Sequence, residues 1–224
     1  YLIAQNRVKR ADNNMVREAM MMRLQTKCQK NAASPDALSN LLYSTDEFSR
    51  SFVTNVFEKS GNCINLKREI ELKMDVFLFN LKTCLSPKED FLANFIRNAF
   101  NGVFEYFCDN NGRKLSEFKG SKGLQCVFNV DSSSFSSCIK PTSTHSTDAG
   151  EVILKQEGFC NDVTHIRKCI KKEIISQCNQ DQRFVEISKD LLRIINDKCA
   201  GCAIFANFFL IVALILFHMK EYLF

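Results

Sequence analysis

Tryptophan is absent from this 224-residue chain, and proline and glycine are scarce, at 3 and 8 residues. So few chain-breaking residues argue against a turn-rich β fold and for helices with few interruptions. No Asn-x-Ser/Thr triplet occurs, so N-glycosylation is not expected. A phosphate-cradling glycine loop, a nucleophile elbow and an H-E-x-x-H pair are also missing. Charge of one sign does not dominate: the net charge is +5, from 30 basic and 25 acidic residues. A balance that mild and dispersed gives no argument for a nucleic-acid partner.

What the chain has instead is cysteine and phenylalanine, 11 and 20 residues. Eleven cysteines are many for a cytosolic enzyme and read as a disulfide framework in an oxidising compartment, secreted or extracellular. The odd count leaves one cysteine unpaired or paired between chains. Ten are assigned to structural bridges of open connectivity: Cys28, Cys63, Cys84, Cys108, Cys126, Cys138, Cys160, Cys169, Cys178 and Cys199. The expected fold is all-α, a disulfide-stapled multi-helix bundle with a hydrophobic C-terminal helix. It divides into an N-terminal extension over 1–14, a cysteine-rich helical domain over 15–199 and a hydrophobic tail over 200–224.

Helix signals follow one another along the chain. Asp12-Asn13-Asn14 caps a helix from Met15 toward Cys28, and Ser34-Pro35-Asp36 starts another with proline at its first position. A break is expected near Ser44-Thr45, before Phe48, Phe52, Val56 and Phe57. Leu66, Ile70, Met74, Phe77 and Leu81 then share one face between Cys63 and Cys84. In one straight helix those two cysteines stand roughly 30 Å apart. A disulfide needs Cα atoms within about 7 Å, so each must reach another segment. Ser86-Pro87 restarts a helix whose stripe is Phe91, Phe95, Phe104 and Phe107. Asn161 or Asp162 caps the next one. Cys169 and Cys178, nine residues apart, point to nearly opposite helix faces and also require separate partners. Asp181–Asp197 gives a last amphipathic helix. Between these, Pro141–Gly150, with His145, reads as an exposed loop.

The centre of the chain is the stretch in which Phe107-Cys108 meets the Asn111-Gly112 turn, followed by Lys114, Leu115, Phe118, Gly123 and Cys126, with Cys138 beyond. This pattern resembles the centre of the insect haemolymph glycoproteins, a family of about this size. The resemblance implies a secreted, cysteine-rich, helical protein whose biochemical role is undefined. It extends over Cys28 to Cys199 and not to the tail. The chain departs from the pattern at Arg113, where an acidic residue is usual, and at Leu124, where proline is usual.

Three constellations carry chemical alternatives. Cys199-Ala200-Gly201-Cys202 has the C-x-x-C spacing of thiol oxidoreductases, but follows a helix instead of opening one, so structural pairing is the stronger reading. Cys160, His165, Cys169 and Cys178 form a loose zinc set without the two tight ligand pairs of structural sites. Residues 203–217 are almost wholly apolar, broken by Asn207 and bracketed by Lys198 and Lys220. They read as a membrane anchor at the cell surface, a removed anchor signal, or a buried terminus. Tyr1 reads as a processed end or a fragment start, and Arg7-Val8-Lys9-Arg10 as a convertase-like or simply solvated basic run.

The functional expectation is a non-enzymatic extracellular protein without a cofactor. It carries or binds an apolar ligand or a protein partner, with Phe77, Phe91, Phe95, Phe104 and Phe107 as ligand-facing candidates. Close packing of those same rings into a filled core is the competing reading.

Overall fold

The computed structural model describes residues 21–58, 63–129, 138, 146–148 and 151–201. The expectations for residues 1–20, His145, Cys202 and the 203–217 segment lie outside them. The all-α expectation holds. Helix α1 is described over 21–31, and α2 follows as Ala37–Val53, extended by a wider π turn over Thr54–Glu58. Next come α3, Cys63–Cys84, α4, Phe91–Lys119, and α5, Lys122–Asn129. The chain closes with α6, Gln156–Cys178, and α7, Gln182–Gly201. A small antiparallel pair joins Ser146–Asp148 to Glu151–Ile153, so part of the expected 141–150 loop is a hairpin arm.

The helices pack in the succession α2, α3, α4, α7, α6. Lys73–Glu47 (3.0 Å) and the Asn80 side-chain amide donating to the Asn40 carbonyl (3.3 Å) align α3 antiparallel to α2. Arg97–Asp75 (2.6 Å) ties α4 to α3, and Tyr106 Oη donating to Asp190 (3.0 Å) ties α4 to α7. Apolar periodicity places Leu66, Ile70, Met74, Phe77 and Leu81 in the core, as the 3.6-residue repeat requires.

Three sequence expectations need correction. No break occurs at Ser44-Thr45: both hydroxyls donate to the Leu41 carbonyl of their own helix, so polar side chains that suggest a turn are absorbed by back-bonding. Pro35 stands before the first helical residue, and Asp36 is the residue that flanks Ala37. Asn161 and Asp162 do not start α6, which begins five residues before Asn161 at Gln156. The reason is Phe159: it is fully buried, and the helix must already be formed there to aim the ring inward.

A cap does set the angle between α5 and α7. Asp181 accepts from the Phe184 N–H through Oδ1 (3.0 Å) and from the Gly123 N–H through Oδ2 (3.1 Å). One carboxylate thus satisfies an orphan donor in the first turn of two helices. Asp181→Ala is expected to cost about 2 kcal/mol, roughly two single caps, and Asp181→Asn about half of that, since its one amide oxygen can accept from only one of the two N–H groups. Chemical denaturation of the three proteins checks this, and an Asn variant as weak as the Ala variant would contradict it.

Candidate functional site

The central stretch is a joint built from bridges, rings and one strained turn. The break after Cys108 runs through Asp109–Gly112, where Asn110, Asn111 and Gly112 all adopt positive φ. Asparagine and glycine tolerate that left-handed region better than other residues, which is why this run can bend α4. An Asn-Gly pair at this point predicts the end of a helix; the chain instead bends and forms another helical piece reaching Lys119. Beyond the bend, Lys114 lies over the Tyr106 ring (5.7 Å to the centroid), and Leu115 is buried. Phe118 sits between Phe107 (5.3 Å) and Phe184 (5.7 Å). Gly123 is pressed against the Phe184 ring: a Cβ there would stand 2.0 Å from Cγ.

Five disulfides join the ten cysteines from Cys28 to Cys199. Cys28 pairs with Cys84, Cys63 with Cys108 and Cys126 with Cys178; Cys138 pairs with Cys169 and Cys160 with Cys199. Cys63 and Cys84, at the two ends of α3, therefore reach different helices. Cys169 and Cys178 likewise hold α6 to the 138 position and to α5. Each bridge joins segments far apart in sequence, which constrains the unfolded chain and stabilises the fold.

This pairing bears on the chemical alternatives. Cys160, Cys169 and Cys178 each use their sulfur in a separate bridge, so the set drawn with His165 is not a thiolate site. His165 itself is exposed, and no metal-holding cluster occurs among the described residues. Cys199 is joined to Cys160 instead of Cys202. It also sits at the C-terminal end of α7, where the helix dipole disfavours a thiolate.

Four of the five candidate ligand-facing rings, Phe77, Phe95, Phe104 and Phe107, are packed against other rings. Phe77 stacks on Phe48 (5.6 Å), Phe104 meets Phe100 (4.6 Å) and Phe52 (6.2 Å), and Phe95 meets Phe159 (6.4 Å). Phe77, Phe95, Phe104 and Phe107 are buried, and Phe91 is half-buried at the start of α4. On the opposite face of α3, Leu72, Val76 and Phe79 stand exposed at i, i+4 and i+7. In the sequence that stripe is masked by the inward period, since both faces of this helix carry apolar residues. Among the described residues no helix is long and apolar enough to cross a membrane.

A second unforeseen cluster centres on Glu89, which is 1% exposed. It caps the Ser86 turn, accepts from Lys27 Nζ (2.6 and 2.7 Å) and accepts from the Leu154 N–H (2.9 Å). Ser86-Pro87-Lys88-Glu89 carries the capping-box spacing that would have revealed it. Burial pushes this carboxyl up. Hydrogen bonds from Lys27, Leu154 and Ser86, with the Lys27 charge, outweigh that and leave it below its ordinary value of 4.5. A lowered folded pKa stabilises the fold above the unfolded value and loses that contribution as pH falls through the folded one. Stability should therefore hold down to about pH 4.5 and decline in stronger acid. Glu89→Gln is expected to cost about 2 kcal/mol at neutral pH and to flatten part of that acid decline, as read from unfolding free energies against pH.

A family model described as "Protein of unknown function (DUF1397)" matches residues 52–201. The chain belongs to this family. The match takes in α3 to α7, the whole central joint and four bridges; the fifth, Cys28–Cys84, ties α1 to the matched region. No curated protein and no solved structure matches the chain. The residues behind the resemblance at Cys108, Gly112, Lys114, Leu115, Phe118, Gly123 and Cys126 serve bridging, turning and packing. Together these positions build the joint between α4, α5 and α7.

Proposed function

We propose that the protein is a secreted, non-catalytic helical binding protein of extracellular fluid, the haemolymph if its source is an insect. The observation that carries this reading is the set of five intrachain disulfides, which fits an oxidising compartment. The haemolymph assignment rests on the sequence resemblance. Its partner is bound at the surface, because four of the five phenylalanines that would line an internal site are packed against other rings.

Native mass spectrometry of chain secreted by a eukaryotic host and purified without added lipid tests this reading. The expected mass is that of the oxidised polypeptide alone. A stoichiometric fatty acid, terpenoid or sterol retained on the protein would replace surface binding with internal carriage. Turnover by a thiol pair in a disulfide-reductase assay would overturn the non-catalytic reading.

A further inference from the structure

The dispersed charge of the sequence hides a local concentration on α6. Arg167, Lys168, Lys171 and Lys172 fall within six consecutive residues, and the three lysines are exposed. The only acid between Asp162 and Cys178 is Glu173, and Asp162 is itself buried. Several surface cations elsewhere have an acid beside them: Lys67 with Glu71 (3.5 Å), Lys73 with Glu47 (3.0 Å), Arg97 with Asp75 (2.6 Å) and Arg193 with Asp190 (3.2 Å). The exposed Lys82, Lys122 and Lys155 stand singly and not in a row. The four α6 cations make no ion pair or side-chain hydrogen bond with the described residues, and the buried Arg167 Nε has no acceptor.

Helix geometry sharpens the concentration. Arg167 and Lys171, and likewise Lys168 and Lys172, are i,i+4 neighbours, a spacing at which like charges disfavour the helix. The row from 167 to 172 rises only about 7.5 Å. The antiparallel register of α6 and α7 is fixed by Thr164–Asn196 (3.3 Å) and the Cys160–Cys199 bridge. That register brings the exposed Lys189 level with Lys171. The bridges Cys138–Cys169 and Cys126–Cys178 hold the helix rigid beneath the row, so its repulsion is not relieved by fraying.

We infer that this face of α6 is a binding site for a sulfated linear polysaccharide. The inference deepens the surface-binding reading and rests on its extracellular placement, where such polyanions are found and nucleic acid is not the ordinary partner. A row of unpaired, long-stemmed cations without a shaped pocket suits a repeating polyanion, whose many charges each displace counterions. It suits an anionic membrane surface less well. A membrane-lying helix needs an apolar face beside its basic one, and the only large apolar side chain exposed on α6 is Ile175. The longer apolar stripe is on α3, whose main packing partners are α2 and α4.

The test uses the full oxidised chain and heparin as the probe, over a range of salt. Wild type should bind heparin at about 0.15 M salt. The triple variant Lys168→Gln, Lys171→Gln, Lys172→Gln should bind at least tenfold more weakly, with the slope of log affinity against log salt reduced by about 3. A control carrying Lys82→Gln, Lys122→Gln and Lys155→Gln removes the same charge elsewhere and should stay within about twofold of wild type. Unchanged far-ultraviolet circular dichroism establishes that both variants are folded. Equal loss in the two variants would assign the binding to net charge and overturn the site. So would absence of wild-type binding at that salt, or binding to phosphatidylserine vesicles but not to heparin. Secretion and disulfide formation do not depend on these lysines, so failure here leaves the broader reading standing.

Discussion

Gly123→Ala should destabilise the protein by about 3 kcal/mol, although the same change in most helices is favourable by up to about 1 kcal/mol. The sign inverts because the added methyl meets Phe184 at 2.0 Å from Cγ and 2.4 Å from Cβ and Cδ1. Those atoms cannot swing away easily. The Phe184 ring is buried and stacked on Phe118, which in turn meets Phe107. The N–H of residue 123 must also stay in reach of Asp181, so α5 cannot simply slide outward. Phe184→Leu in the Gly123→Ala background should recover part of the loss by freeing space at the contact. Urea denaturation of the single and double variants measures both effects. A neutral or stabilising Gly123→Ala would show that the helix does not approach this closely.

Removing the bridge beside that contact should have an effect of similar size. Cys126 and Cys178 are 52 residues apart in sequence, and closing a loop of that length removes unfolded-state entropy worth about 4 kcal/mol in the simplest model. The Cys138–Cys169 bridge already constrains part of the same loop, so the double change Cys126→Ser with Cys178→Ser should cost about 3 kcal/mol. The loss should be concentrated at α5, whose remaining described ties are the Asp181 cap and the Gly123 contact. Hydrogen exchange should rise first over 122–129 and only later over α3. Uniform exchange across the chain would mean that the bundle unfolds as one unit and that α5 is not held chiefly by this bridge.

These effects bear on how far the residues announced the structure. Inward periodicity was legible wherever a helix has one core face, as from Leu66 to Leu81. Disulfide geometry was legible by exclusion. A straight helix between Cys63 and Cys84 forbids their pairing, and both do reach other helices. The pairing itself was not legible, because it depends on how helices distant in sequence are placed. Polar residues misled in both directions. Ser44 and Thr45 looked like a break but bond back within α2, while the Ser86–Glu89 capping box was overlooked though its spacing was plain. The dual role of Asp181 could not be read locally, since its second partner, Gly123, lies 58 residues away. Composition also concealed local detail: a mild net charge says nothing about four cations gathered on one helix without an ion pair among the described residues, and the outward stripe on α3 shows only once the inward one is fixed.

Disulfide mapping tests the account most directly. The secreted chain would be digested without reduction, after alkylation of free thiols, and its cross-linked peptides sequenced by mass spectrometry. The expected pairs are Cys28–Cys84, Cys63–Cys108, Cys126–Cys178, Cys138–Cys169 and Cys160–Cys199, with Cys202 in none of them. A Cys199–Cys202 bridge, or free thiols among the ten, would contradict the stapled domain and the extracellular placement proposed for it, and return the C-x-x-C run to consideration as a redox centre.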